Sequence, residues 1–315
     1  MEVKGKKSKS LSSFVIILLI ITFILFGSYQ RADAQQKTFR SPQEAVKSMV
    51  DAVKANDKEE LSAIFGPAGK ELISSGDEVA DKTGRERFVK AYEEMNKLVR
   101  ETDSKVTLVI GKNEWPSPIP IVKKGESWCF DTEAGKEELL NRRIGKNELN
   151  AIQVCHAYVD AQREYALKDR DGDGLLGYAQ KFASTKGRMD GLYWKVKEGE
   201  EQSPLGPLAA RAVKEGYTGS KPGDKPVPYH GYFYKILKAQ GKNAPGGAYD
   251  YLVKGKMIGG FALVAYPSEY GNSGVMTFIV NHEGVVYEKD LGKETGKIVN
   301  AMTKFDPDKT WKKVG

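Results

Sequence analysis

Val46, Met49, Val50 and Val53 recur at offsets 0, 3, 4 and 7, which puts them on one helix face. Ser41-Pro42-Gln43-Glu44 marks the start of that helix: Ser41 can cap, Pro42 suits the first helical position and Glu44 can reach back. Asp57 and Glu60 repeat the capping pattern before Leu61, Ile64 and Phe65, and Gly66-Pro67 stops the segment. A third helix is predicted to carry Phe88, Tyr92, Met95 and Val99 on one face. Residues 106–110 read as a buried strand. Residues 115–120 hold three prolines, which remove ladder donors and exclude a central strand. Ile121-Val122, a Lys-Lys-Gly turn and residues 128–130 read as a hairpin.

Residues 135–168 are helix-like, with Gly145 as the expected interruption. A domain boundary placed there gives an N-terminal α+β domain over 35–145 and a C-terminal domain over 146–315, a helix plus an antiparallel sheet. Residues 231–237, 259–267, 274–280 and 285–287 supply three or four antiparallel strands separated by glycine turns.

Ahead of both domains, Lys4, Lys6, Lys7 and Lys9 precede an apolar run over 14–26 broken only by Thr22. Ala32-Asp33-Ala34 offers small residues where a signal peptidase reads, so residues 1–34 are expected to be a signal peptide cleaved before Gln35. The run is shorter than the roughly 20 apolar residues that span a bilayer. An uncleaved membrane anchor is the alternative, and then the only membrane contact. Either way the rest is expected to be exported, to the periplasm or beyond.

The formal charge is +7, and about +4 of it belongs to residues 35–315, where acids and bases are interspersed. A nucleic-acid partner would need a clustered basic stripe, which is absent. Export permits a bridge between Cys129 and Cys155; the plainer reading of Cys155 is a small buried residue at helical spacing with Ile152 and Val159, and Cys129 falls between Trp128 and Phe130 in a predicted strand.

The opening "SPQEAVKSMVDAVKANDKEEL", with helices followed by strands, resembles the nuclear-transport-factor-2-like α+β cone, in which helices close over a bent sheet. The segments "DGDG…YA", "GYxFxI", "GFALVAYP" and "SGVMTFIVNHEGVVY" resemble the heads of type IV pilins and pseudopilins. Pilins join a hydrophobic N-terminal helix directly to that head. Here another domain intervenes, which argues against polymerisation. Longer stretches such as "WPSPIPIVKKGESWCFDTEAGKEELLNRRIGKNEL" and "GGFALVAYPSEYGNSGVMTFIVNHEGVVYEKDLG" resemble exported bacterial proteins grouped as domain of unknown function 2950. That resemblance implies a recurring two-part architecture and no known activity.

Asp169-x-Asp171-x-Asp173-Gly174 matches the first half of an EF-hand-like loop, in which alternating carboxylates on a tight turn supply oxygens to calcium. The twelfth position, normally a bidentate Glu, is Gln180. The candidate metal ligands are therefore Asp169, Asp171, Asp173 and Gln180, and the competing reading is an acidic turn that ends a helix. The charged run 142–148, with Arg142 and Arg143, reads either as an anion clamp or as a salt-bridged hinge. Ser273 lacks the glycine spacing of a nucleophile elbow and reads as a turn. His156, His230 and His282 share no metal-ligand spacing. Tyr229, Tyr232, Phe233 and Tyr234 form an aromatic cluster.

With no complete catalytic set in the sequence, the expected function is a non-enzymatic envelope protein that binds a protein partner or supports assembly. The alternative is an enzyme or small-ligand binder with a pocket in the N-terminal domain, for which Asp131 and Glu138 are the candidate polar residues.

Overall fold

The computed structural model describes residues 1, 36–170, 172, 174–197, 199–217 and 226–314. The expected leader, Met1 excepted, lies outside the described residues, as do Asp171 and Asp173 of the acidic loop. Among the described residues no helix is long and apolar enough to cross a membrane. The fold is α+β, with helices and antiparallel sheets.

Helix α1 (Pro42–Ala55) starts where Ser41 Oγ accepts the Glu44 amide at 3.1 Å, and Glu44 in turn accepts the Arg40 amide at 2.9 Å. Asp57 caps α2 (Lys58–Phe65) through the Glu60 amide at 2.9 Å. A short α3 (Lys70–Ile73) leads to α4 (Glu78–Glu94), capped by Asp77. The stripe predicted to run from Phe88 to Val99 is cut short. Met95 is already extended, and Val99 lies on strand β1 (Asn96–Thr102), opposite Thr107 of β2 (Lys105–Ile110). A tight hairpin gives residues 96–102 a partner, and that pairing overrides the helical period.

Strands β3 (Trp115–Pro116), β4 (Ile121–Lys124) and β5 (Ser127–Phe130) complete the first sheet in the order β1-β2-β4-β5, with β3 attached to β2 off that path. Phe39 bridges to Trp128 beside β5, with both backbone bonds at 2.8 Å. Val46, Met49 and Val50 of α1 and Leu61 and Ile64 of α2 pack on Leu108, Ile121 and Phe130 of the sheet. These residues belong to the first of two hydrophobic cores.

Helix α5 (Thr132–Tyr165) is 34 residues long, about 51 Å at 1.5 Å per residue. The interruption expected at Gly145 is absent. One interior glycine costs about 1 kcal/mol against alanine, and the hydrogen bonds made by Arg143, Asn147 and Glu148 on either side outweigh it.

The C-terminal half of α5 packs Ala151, Cys155, Tyr158 and Val159 into the second core. The chain then passes through α6 (Gly206–Lys214) and β6 (Tyr232–Leu237). Two ribbons follow, β7 (Ala239–Gln240) with β8 (Tyr249–Asp250) and β9 (Leu252–Val253) with β10 (Lys256–Met257). Strands β11 (Ala262–Pro267), β12 (Met276–Asn281), β13 (Val286–Asp290) and β14 (Lys312–Lys313) join β6 in an antiparallel sheet ordered β14-β13-β12-β11-β6. β14 is an edge the sequence pattern did not announce. Helix α7 (Thr295–Ala301) lies on this sheet. Gln162, fully buried, fastens α5 to the acidic loop's exit: it donates to Ala179 O and accepts from Ala179 N, each at 2.8 Å.

Cys129 and Cys155 are both buried and free, so the bridge that export would permit is not formed. Burial pushes the Cys155 thiol up to about 12.

Candidate functional site

The two cores meet along a polar seam centred on the middle of α5. Arg143 and Asn147, one turn apart, both face it. Arg143 Nη1 donates to Glu71 O at 2.6 Å and to Asn272 Oδ1 at 2.5 Å, and Nη2 donates to Leu72 O at 3.1 Å. Asn272 passes the link on, donating to Ser74 O at 2.9 Å and Glu269 Oε2 at 2.7 Å. Asn147 donates to Ser273 O, and Glu148 accepts the amides of Val275 and Met276, all at 2.9 Å. Burial lowers the Arg143 pKa from its ordinary value. Its donors go to carbonyls and an amide, so the run 142–148 works as a staple between the cores.

Further along the seam, Asp77 is 1 % exposed. Its Oδ1 accepts the Ala80 amide at 3.0 Å and caps α4. Its Oδ2 accepts the Tyr217 hydroxyl at 2.9 Å and the Gly231 amide at 2.8 Å. Gly231 has φ +74°, and a Cβ there would lie 2.6 Å from Asn147 Nδ2, so only glycine fits. His230 is also left-handed, at φ 51°, and its amide donates to Tyr217 OH at 3.2 Å. His230 Nε2 lies 3.0 Å from Glu215 Oε2 but off the line of a hydrogen bond. Glu215 also accepts from Arg211 Nε at 3.0 Å and Tyr229 OH at 3.2 Å.

These groups are electrostatically shifted. Burial lowers His230, with Glu215 pulling the other way. Burial raises Tyr217, helped by Asp77, and pushes Tyr229 up to about 12, helped by Glu215. Burial would raise Glu215, but Arg211 and His230 leave it below its ordinary value. Such clusters mark both functional sites and structural networks. Here Tyr217 OH is both donor and acceptor within the seam, and Asp77 holds three donors. The arrangement locks one part onto the other.

The acidic loop is placed differently. Asp169 accepts the amides of Gly172 and Gly174, each at 2.8 Å, in a tight turn. Gln180 Nε2 donates to Gly255 O at 2.8 Å, and its Oε1 accepts from Lys238 Nζ at 3.2 Å. The oxygen proposed for calcium thus meets a cation of the chain. Among the described residues no three acidic, His or Cys side chains gather as a metal set. Of the N-terminal candidates, Asp131 precedes α5 without capping it, and Glu138 is exposed and paired with Arg142 beside an open hollow. Ser273 is a buried turn residue, its Oγ accepting the Glu269 amide at 2.9 Å. His156 is exposed on α5, and His282 packs edge-on to Tyr251 and Phe261, so the histidines stay apart.

Among the described residues, clefts open on the second part. One, about 440 Å³, lies beside the acidic loop between Arg170, Gln180, Lys238 and Ile258. Another, about 410 Å³, lies between α7 and the end of the sheet, against Phe233, Tyr266 and Tyr270. Sequence reading placed a hinge or clamp at 142–148 but missed the Asp77 side of the seam and this second cleft. Asp77 carried only a capping signal, and Phe233 only that of a core aromatic.

The profile of the family described as protein of unknown function (DUF2950) matches residues 36–314. No curated protein and no solved structure matches the chain.

Proposed function

The chain belongs to the DUF2950 family of proteins of unknown function, and on that premise we propose that it is an exported envelope protein, non-enzymatic, that binds a partner or supports assembly. The observation that carries this reading is the seam. Asp77, Tyr217, Arg143 and Asn272 spend their hydrogen bonds joining the two cores. The result is a stiff two-part body whose open clefts lie on its outside.

The first part, with helices followed by an antiparallel sheet they close over, supports a cone of the nuclear-transport-factor-2 type. The second, a long helix packed on an antiparallel sheet, supports a pilin-head-like module. The basic and apolar run of residues 4–26 and the Ala32-Asp33-Ala34 site support export.

Cell fractionation with N-terminal sequencing, joined to photo-crosslinking from Tyr270, tests the reading. Envelope-localised chain starting at Gln35, with one discrete crosslinked species, is the expected result. Cytoplasmic chain starting at Met1 overturns export. A catalytic activity lost in folded His230→Asn protein overturns the non-enzymatic role.

A further inference from the structure

The cleft between α7 and the sheet has the makings of a ligand site. Phe233 of β6 and Tyr266 of β11 are cross-strand partners, so their side chains share one face. Their rings lie 5.6 Å apart, tilted by 46°, and form an angled aromatic wall. Tyr270 closes one end, held by its hydroxyl on Asp290 Oδ2 at 3.2 Å. α7 forms the opposite side and brings Lys297 and Asn300 to the rim, and the turn before it adds Lys293.

The walls are preformed. Lys235 lies two residues from Phe233 on the same strand face. Its ammonium donates to the carbonyls of Val299, Asn300 and Met302 at 2.9, 3.0 and 2.8 Å. This pins the end of α7 over the sheet. Thr295, 1 % exposed, fixes the start by donating to Gly292 O at 2.5 Å. A cleft that does not have to be assembled on binding loses less affinity to ordering.

The rim carries unspent polar groups. Among the described residues, Lys293 and the Asn300 side-chain amide have no hydrogen-bond or ion-pair partner, and Lys297 makes only a loose 3.9 Å pair with Glu294. The volume, about 410 Å³, falls in the roughly 300–1,000 Å³ range of small-ligand sites.

We infer that this cleft binds an acidic saccharide: the CH face of a sugar ring lies against Phe233 and Tyr266, its hydroxyls meet Asn300, and a carboxylate or phosphate on it is met by Lys293 and Lys297. The tilt of the two rings keeps a planar nucleobase from lying flat on both at once, so it would stack on one ring only. A puckered ring with one apolar face fits an angled wall. The two lysines against the single Glu294 select negative charge. The inference rests on the export reading only for where such a ligand would be met, which is among envelope polysaccharides.

Titration calorimetry of the purified protein with trigalacturonate, maltotriose and AMP tests it. Trigalacturonate should bind, and maltotriose and AMP more weakly. Lys293→Glu and Lys297→Glu should each weaken trigalacturonate by up to about five-fold, the scale of exposed charge pairs. Tyr266→Leu should weaken it about ten-fold by removing the ring while keeping apolar bulk. The lysines are exposed, so their variants keep the inference falsifiable even if Tyr266→Leu fails to fold. Tighter binding of AMP, no binding of trigalacturonate, or binding insensitive to all three substitutions overturns it. Binding by a protein found in the cytoplasm would remove export and leave the site standing. An exported protein that binds none of the probes would remove the site alone.

Discussion

The Asp77 carboxylate and the Tyr217 hydroxyl, 140 positions apart in sequence, meet at 2.9 Å in the seam between the two cores. Tyr217→Phe removes one donor and leaves Asp77 bonded to Gly231 and Ala80. The expected cost is about 1–3 kcal/mol, the scale of a buried hydrogen bond to a charged group. Asp77→Ala strands three donors and should cost more. Urea titration of both variants checks the order, and equal, near-zero losses would show that the seam does not hold the parts together.

Stability should fall as pH drops from about 7.5 to about 5. His230 is held below its ordinary value of 6.5, first by burial, with Arg211 and Lys146 adding to it and Glu215 and Asp77 opposing. His282 is lowered by burial as well. A depressed folded pKa means that the unfolded chain binds more protons across this window. The stabilising contribution is therefore complete above 6.5 and is lost as pH falls toward the folded values. Glu215, also depressed, adds a separate loss at lower pH, below its ordinary 4.5. His230→Asn keeps a residue that tolerates the left-handed backbone and should flatten the upper slope in part. An unchanged slope, read from urea midpoints across the range, would remove His230 as a contributor.

Gly135 and Gly145 lie on the same helix and make opposite forecasts. A Cβ at Gly135 would meet Pro118 O at 2.4 Å, a backbone atom that cannot step aside, whereas one at Gly145 would meet nothing within 4 Å. Gly135→Ala should cost about 1–3 kcal/mol by overpacking. Gly145→Ala should stabilise by about 0.5–1 kcal/mol. Chemical denaturation of the two variants reads both signs.

Calcium decides between the two readings of the acidic loop. Asp169 is already bonded to the amides of Gly172 and Gly174, and Gln180 to Lys238. The expected outcome is a melting temperature that responds to millimolar calcium no more than to sodium chloride of equal ionic strength. A specific rise, abolished by Asp171→Ala, would establish the metal site by mass action.

Capping residues and hydrophobic periods announced much of the fold, because these signals are local. Ser41 and Asp57 cap as expected, and Val46, Met49 and Val50 are buried together. Residues 232–237, 262–267 and 276–281 pair as antiparallel strands with no other element between them in the sheet. The local signals misled where strand pairing or tertiary anchoring outcompeted them: a tight hairpin in one case, distant partners in the other. Val99 left its helical stripe for a strand opposite Thr107, and Gly145 stayed helical between anchored neighbours.

By itself the sequence determined the α+β class, the starts of α1 and α2 and the segments of β2, β4, β5, β6, β11 and β12, all set by the order of side chains along a few turns or strands. Only the tertiary structure decided that Asp77 would serve Tyr217 and Gly231, and that Arg143 would reach the short helix α3 and a loop far from it in sequence. It also decided that Phe233 and Tyr266 would make one wall beneath Lys293. The reason is physical: a buried polar group takes whatever partner the packed cores bring within about 3 Å. No local pattern records which segment that will be.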